Sequence, residues 1–169
     1  MEKLKTVPAL VWFIGAFTIL IVIGVVSAAP QARADAIISG PPCVIDGNTI
    51  QVGGKVRDGK CWGGIDVRLH GSKAPQRNKF CKDSRGQEWP CGRVAASTLS
   101  DLIRHSEIAC YHLDGEFLDR TPVVTCLSGR LDLALEMVLK GMAQVAHENK
   151  PRYILQEDAA KKARRGIWK

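Results

Sequence analysis

Between Val67 and Gln76 the chain reads VRLHGSKAPQ and holds no carboxylate. Nowhere does it contain a C-x-x-C pair or a histidine at a zinc spacing from a cysteine. Both absences argue against a structural zinc site. No Gly-rich loop opens a helix in the manner of a phosphate cradle, and no Ser, His and Asp set carries a local hydrolase signature. Nucleotide-binding fingerprints and the familiar acyl-transfer triads are therefore excluded as local motifs. Internal repeats and low-complexity tracts are missing too, which removes solenoids and low-complexity linkers. The four histidines, His70, His105, His112 and His147, are scattered, and none is marked out as a base.

The sequence does have a long apolar run near its start. Lys3 and Lys5 precede it, it extends from Ala9 to Ala29, and Ala32 and Ala34 then stand at the two positions a signal peptidase reads. This predicts export with cleavage after Ala34. The run is also long enough to cross a bilayer, which takes roughly 20 residues, so an uncleaved membrane anchor is the alternative. The rest of the chain is expected outside the cytoplasm either way, periplasmic or secreted if cleaved and membrane-attached if not. The expected organisation is a leader over 1–34, a short linker over 35–42 and one domain over 43–169. The full chain carries a formal charge of +7. A moderately basic surface favours anionic partners without choosing among them. All six cysteines, Cys43, Cys61, Cys81, Cys91, Cys110 and Cys126, follow the leader. An even number in an exported chain predicts three disulfides, with fifteen possible pairings.

Strand signals come first in the domain. CVIDGNTIQV places two β-rich runs around a turn, and GGKVRDGKCWGG reads as a hairpin extension. In IDVRLHG, Ile65, Val67 and Leu69 alternate with Asp66, Arg68 and His70, the period of a half-buried strand. A polar loop then runs to Cys91. Val94, Leu99, Leu102 and Ile103 predict a helix from about Cys91 to Arg104. EIACYHL and TPVVTCL read as strands joined across DGEFLDR. DLALEMVLKG reads as a helix, capped by Asp132 and closed by Gly141. AQVAH suggests a short strand, and a last helix from about Arg152 stops at Gly166 with Trp168 packing back. The basic run Lys161–Arg165 on that helix reads as its solvated face. This order is α+β, and a small closed barrel of five strands with three packed helices would hide the sheet edges.

Taken together and in order, VIDGNT (44–49), VRLHGSKAPQ (67–76), DGEFLDR (114–120), GRLDLALEMVLKGMAQVA (129–146) and ARRGIW (163–168) resemble the staphylococcal nuclease family. The resemblance covers nearly all of the chain after the leader. It implies a five-stranded OB-type barrel with three helices, and hydrolysis of phosphodiesters in DNA and RNA, usually with calcium. It assigns Arg68 and Arg120 as the two phosphate-binding, catalytic arginines. Asp46 is kept from the family's D-G-D-T turn, but its second acid is Asn48. In the strip R-L-x-G-[IV]-D-[AT]-P-E the metal-binding Asp is Lys73 and the general-base Glu is Gln76. The family's D-x-Y-G-R becomes EFLDR, which keeps Arg120 without the Tyr and Gly before it. The same map places Cys110 and Cys126 on neighbouring strands, where exported relatives carry cysteines. It sets Cys81 and Cys91 at the two ends of one loop, and Cys43 with Cys61 between the first strand and the hairpin extension.

The substitutions have chemical consequences. Calcium takes several oxygen ligands, with carboxylates supplying much of the binding energy. An ammonium about 4 Å from a dication repels it by roughly 2 kcal/mol in water, and by more in a shielded cleft. Glutamine takes no proton from water, so general-base help worth about 10²–10⁴-fold is lost. No cofactor is therefore expected, and Arg68, Lys73 and Arg120 are expected to form a pocket for an anion. The leading expectation is an exported nuclease homologue without normal calcium-dependent activity. It would bind an anionic polymer, nucleic acid or acidic polysaccharide, or assist an envelope or exopolysaccharide process. The alternative is an active secreted nuclease of altered chemistry, with calcium or a water recruited by Asp46, Glu116 or Asp119. A third expectation is an interaction protein whose Trp62 and Trp89 stack on sugars or bases.

Overall fold

A computed structural model of the chain describes residues 38–103, 106–118, 120–146 and 151–169, the side chains of 112–118 excepted. The leader expected over 1–34 lies outside these residues, as do His105, Asp119 and His147.

The first strands are β1 (Ile38–Gly40), β2 (Pro42–Val44) and β3 (Thr49–Val52). A hairpin of β4 (Lys55–Arg57) and β5 (Lys60–Trp62) follows, then β6 (Ile65–Leu69). Two short ladders involve β7 (Ser72–Lys73), β8 (Cys81–Lys82) and β9 (Glu88–Trp89). Helix α1 (Cys91–Leu102) leads to the long pair β10 (Ile108–Leu118) and β11 (Thr121–Ser128). Then come β12 (Leu131–Asp132), α2 (Leu133–Leu139), β13 (Gln144–Val145), α3 (Ile154–Lys162) and a 3₁₀ turn, Gly166–Trp168. The class is α+β, of OB type with three helices.

The main sheet runs β1-β10-β11-β6-β3-β2, with β12 beside β11. Five closed strands were expected; the ladder is an open path whose two ends, β1 and β2, are consecutive pieces of one chain segment. β1 pairs with β10 and β2 pairs with β3. Pro41 separates the two pieces and, lacking an N–H, cannot extend the ladder as a donor. Its carbonyl still accepts from the Gly53 amide at 2.9 Å.

The core lies between this sheet and the helices. Ile50, Val67, Leu69, Leu99, Val124 and Met137 are all essentially without exposure. Burying each such side chain is worth about 1.5–3 kcal/mol. The Cys110–Cys126 bond sits inside the same core, joining directly opposed residues of β10 and β11. The other disulfides are Cys43–Cys61 and Cys81–Cys91, so the pairing is the one the family map implied.

Several sequence expectations are corrected. Ile65 is exposed at the start of β6, although it shares the apolar register of Val67 and Leu69. Val94 likewise stands out from α1, whose inner face is made by Cys91, Ala95, Ala96 and Leu99. DGEFL is strand rather than loop, because β10 absorbs a register shift between His112 and Phe117 and continues to Leu118. The last helix begins only at Ile154, since Pro151 precedes it and Tyr153 is left-handed at φ 63°. In contrast, α2 starts as read: the Asp132 carboxylate accepts from the Ala134 and Leu135 amides at 3.1 and 3.2 Å.

Candidate anion-binding cleft

The turn before β3 sets the first wall of the cleft. Asp46 Oδ1 accepts from the Asn48 amide at 2.8 Å, so the retained acid serves the turn itself. β3 and β6 pair with Thr49 opposite Arg68, and the Leu69 amide donates to the Asn48 carbonyl at 2.9 Å. This register brings Asn48 against the end of β6, only 8% exposed. Its side-chain oxygen accepts the Ser72 hydroxyl at 2.6 Å, and its amide nitrogen lies 3.5 Å from the Leu69 carbonyl. The oxygen that could have faced a cation is thus already engaged within the protein.

Arg68 occupies the centre of the sheet, flanked by Thr49 on β3 and by Val123 on β11. Its Nε is buried and has no hydrogen-bond partner among the described residues. Buried polar groups are nearly always paired, and leaving one unpaired costs about 1–3 kcal/mol, more when charged. Arg68, Lys73, Asn48 and Ser72 line one cavity of about 260 Å³, and no carboxylate contributes to that lining among the described residues. Lys73 also lines a second cavity of about 440 Å³, with Gln76, Lys79, Gln144 and Ile167. The lysine is therefore the shared wall of two acid-free hollows. It is held there by the β7–β13 ladder, where Lys73 pairs with Gln144 and Ser72 with Val145.

The sites expected from sequence are only partly brought together. Arg68 and Lys73 meet at the first cavity, whereas Gln76 belongs to the second. Arg120 lines neither of these two; it is exposed in the turn before β11 at φ 65°. Two residues, Thr121 and Pro122, separate it from Val123, the partner of Arg68, three steps or about 10 Å of backbone. Asp46 faces the turn, Asp119 lies outside the described residues, and the Glu116 side chain is among those excepted.

Two arginines emerge that the sequence did not single out. Arg77 donates to the Val44 and Ile45 carbonyls at 3.4 and 2.9 Å, tying the strip after β7 to the end of β2. Arg152 donates to the Thr125 hydroxyl at 3.0 Å, lies 3.4 Å from His70 Nδ1 and stacks 5.1 Å from the Tyr153 ring centre. Tyr153 in turn donates to Asp132 Oδ2 at 2.7 Å. Burial, with the Asp132 carboxylate beside it, raises the phenol well above the usual tyrosine range. The only sequence cue to this network was an Arg-Tyr pair after a proline.

These residues do not fit calcium. A hard dication needs several free oxygen ligands, mainly anionic. Here one Asp46 oxygen holds a turn amide, the Asn48 oxygen holds a hydroxyl, and an ammonium stands in the strip. The same set suits a phosphate, sulfate or carboxylate, for which guanidinium and ammonium are matched donors.

Comparison with known proteins agrees with this architecture. The staphylococcal nuclease homologue family matches residues 66–169. The chain belongs to that family. It is also similar to the succinoglycan biosynthesis protein ExoI of Rhizobium meliloti (strain 1021), 29% identical over 153 residues, which cover 87% of this chain and 75% of the relative. Within the nuclease homologue family, then, this chain is one whose cleft donors are cationic and whose nearby acid is turned to local structure.

Proposed function

We propose that this nuclease homologue holds an anionic polymer in a metal-free cleft and serves an exopolysaccharide-related process outside the cytoplasm. Arg68 and Lys73 lining one acid-free cavity carry the reading. A guanidinium lining such a cavity beside an ammonium is matched to an anionic oxygen, and a charge-assisted bond of this kind is worth about 1.5–3 kcal/mol. Gln76 offers no basic group to activate water, and Lys73 opposes a dication at the position where the family pattern implies a metal-binding Asp. Binding without calcium-dependent cleavage follows from that chemistry. The similarity to a protein named for succinoglycan biosynthesis supports an acidic polysaccharide as the polymer. Three disulfides support an oxidising compartment, periplasmic or extracellular.

The test is calorimetric titration of the protein with a nucleoside diphosphate and, separately, with calcium. Anion binding without metal, lost in Arg68→Ala, is expected. Plasmid degradation that requires calcium and disappears in Arg68→Ala would instead establish a working nuclease and end this proposal.

A further inference from the structure

The β4–β5 hairpin stands apart from the main sheet and pairs only with itself. Its turn is Asp58-Gly59, both at positive φ, 51° and 71°, the geometry of the tight type I′ hairpin turn. Lys55 is opposite Trp62, Val56 opposite Cys61, and Arg57 opposite Lys60. Residues directly opposite share a face, and residues two apart along a strand share it too. One face therefore carries Lys55, Arg57, Lys60 and Trp62; the other carries Val56 and Cys61.

The second face turns toward the domain, although Val56 on it is still 69% exposed. Cys61 is bonded to Cys43 of β2, and Val56, Gly59 and Cys61 line a groove of about 540 Å³ against the domain. The disulfide thus fixes which side turns outward. On that outer side Lys55, Arg57 and Lys60 are all exposed, and Trp62 is 60% exposed. The one carboxylate of the hairpin, Asp58, is in the turn.

Two features of this face work against stability on their own. Arg57 and Lys60 are like charges set directly opposite each other, an arrangement that destabilises a strand pair. An indole more than half open to water leaves a large apolar ring without burial. The other tryptophans in the described residues are covered: Trp89 is half-buried under the Lys169 ammonium at 4.7 Å, and Trp168 lies 4.6 Å from that of Lys161.

We infer that the outer face of this disulfide-pinned hairpin is a second contact site for the polymer, and that the polymer is an acidic polysaccharide. A pyranose ring presents an apolar C–H face that fits an indole, while its carboxylates or acid substituents meet the three cations. Successive stacked bases of a single-stranded nucleic acid call for more than one ring along the track, and the hairpin offers one. The choice of polymer rests on the polymer-binding proposal above, but the site does not use the cleft residues.

The experiment measures binding of the full chain to an alginate oligosaccharide, to neutral dextran and to oligothymidylate, each at low and raised salt. Trp62→Ala and the triple change Lys55→Gln, Arg57→Gln, Lys60→Gln are compared with Arg68→Ala. The three disulfides and the melting temperature serve as controls of folding. Both hairpin variants are expected to weaken alginate binding about tenfold or more, Trp62→Phe to restore most of it, and dextran to bind weakly. Loss of alginate binding in Arg68→Ala alone, with both hairpin variants unaffected, would overturn the inference and leave the cleft standing. Tighter binding of oligothymidylate than of alginate, abolished in Trp62→Ala, would overturn the choice of polymer. Absence of alginate binding by the unmodified protein would overturn the inference outright.

Discussion

Two buried polar clusters flank one rung of the β7–β13 ladder, where Val145 faces Ser72, and they are treated differently. On the β13 side Glu157, 4% exposed, accepts the Val145 amide at 2.8 Å and the Lys161 ammonium at 2.6 Å. Charge and hydrogen bonds are answered there by the protein itself. On the β7 side Ser72 gives its hydroxyl to Asn48, and Arg68, which lines the same cavity, keeps an Nε–H without a partner among the described residues. The contrast separates a carboxylate that serves the architecture from a cation that the proposed anion binding would use. A buried acid in this chain survives where it fastens backbone, and the acids expected near Arg68 have been exchanged.

That distinction can be broken by substitution. Arg68→Ala is expected to weaken binding of a phosphate-bearing ligand about ten- to hundredfold, with little change in stability; calorimetry and a denaturation curve read the two. Glu157→Ala should do the reverse, costing about 2–3 kcal/mol in chemical denaturation because the Val145 amide loses its acceptor, while Glu157→Gln keeps an acceptor and costs less. Ser72→Ala lies between the clusters and should cost about 1 kcal/mol by orphaning the Asn48 oxygen. If it instead left stability unchanged, the Ser72–Asn48 bond would have no share in holding the cleft wall.

The smallest effect concerns pH. The Tyr153 phenol is raised in the folded protein by burial first and Asp132 second. The folded state therefore keeps its proton where the unfolded chain releases it, near the ordinary value of about 10. Its contribution is complete below that pH and declines as pH climbs past it. Melting temperatures between pH 8 and 11 should show a modest alkaline fall that is shallower in Tyr153→Phe.

Much of this was visible in the residues, for identifiable reasons. Asp132 and Gly141 marked cap and stop because each answers a local backbone demand that only a few residue types meet. The alternation in β6 and the strip after it were legible for the same reason. Ladders of two residues were not, since β7 and β13 are too short to show a period. Nor was the pairing of Ser72 with Asn48, which depends on a register 24 residues apart in sequence. Glu157 escaped notice within a polar helix, because only the packing of α3 onto β13 distinguishes it from its solvated neighbours. Where the Arg120 side chain reaches was not legible either, since it depends on how the long β10–β11 pair carries its turn along the strand direction.

The seat of Ile167 carries a last consequence. Its amide donates to the Gly141 carbonyl at 2.8 Å, and the side chain lines the hollow shared with Lys73 and Gln76. Gly166 allows this approach, since a Cβ there would fall 2.1 Å from the Gly141 oxygen. One wall of the second hollow is thus supplied by a residue that leaves the ribosome long after Lys73. A nascent chain lacks that wall, so the second hollow is complete only once Ile167 has been made and has docked.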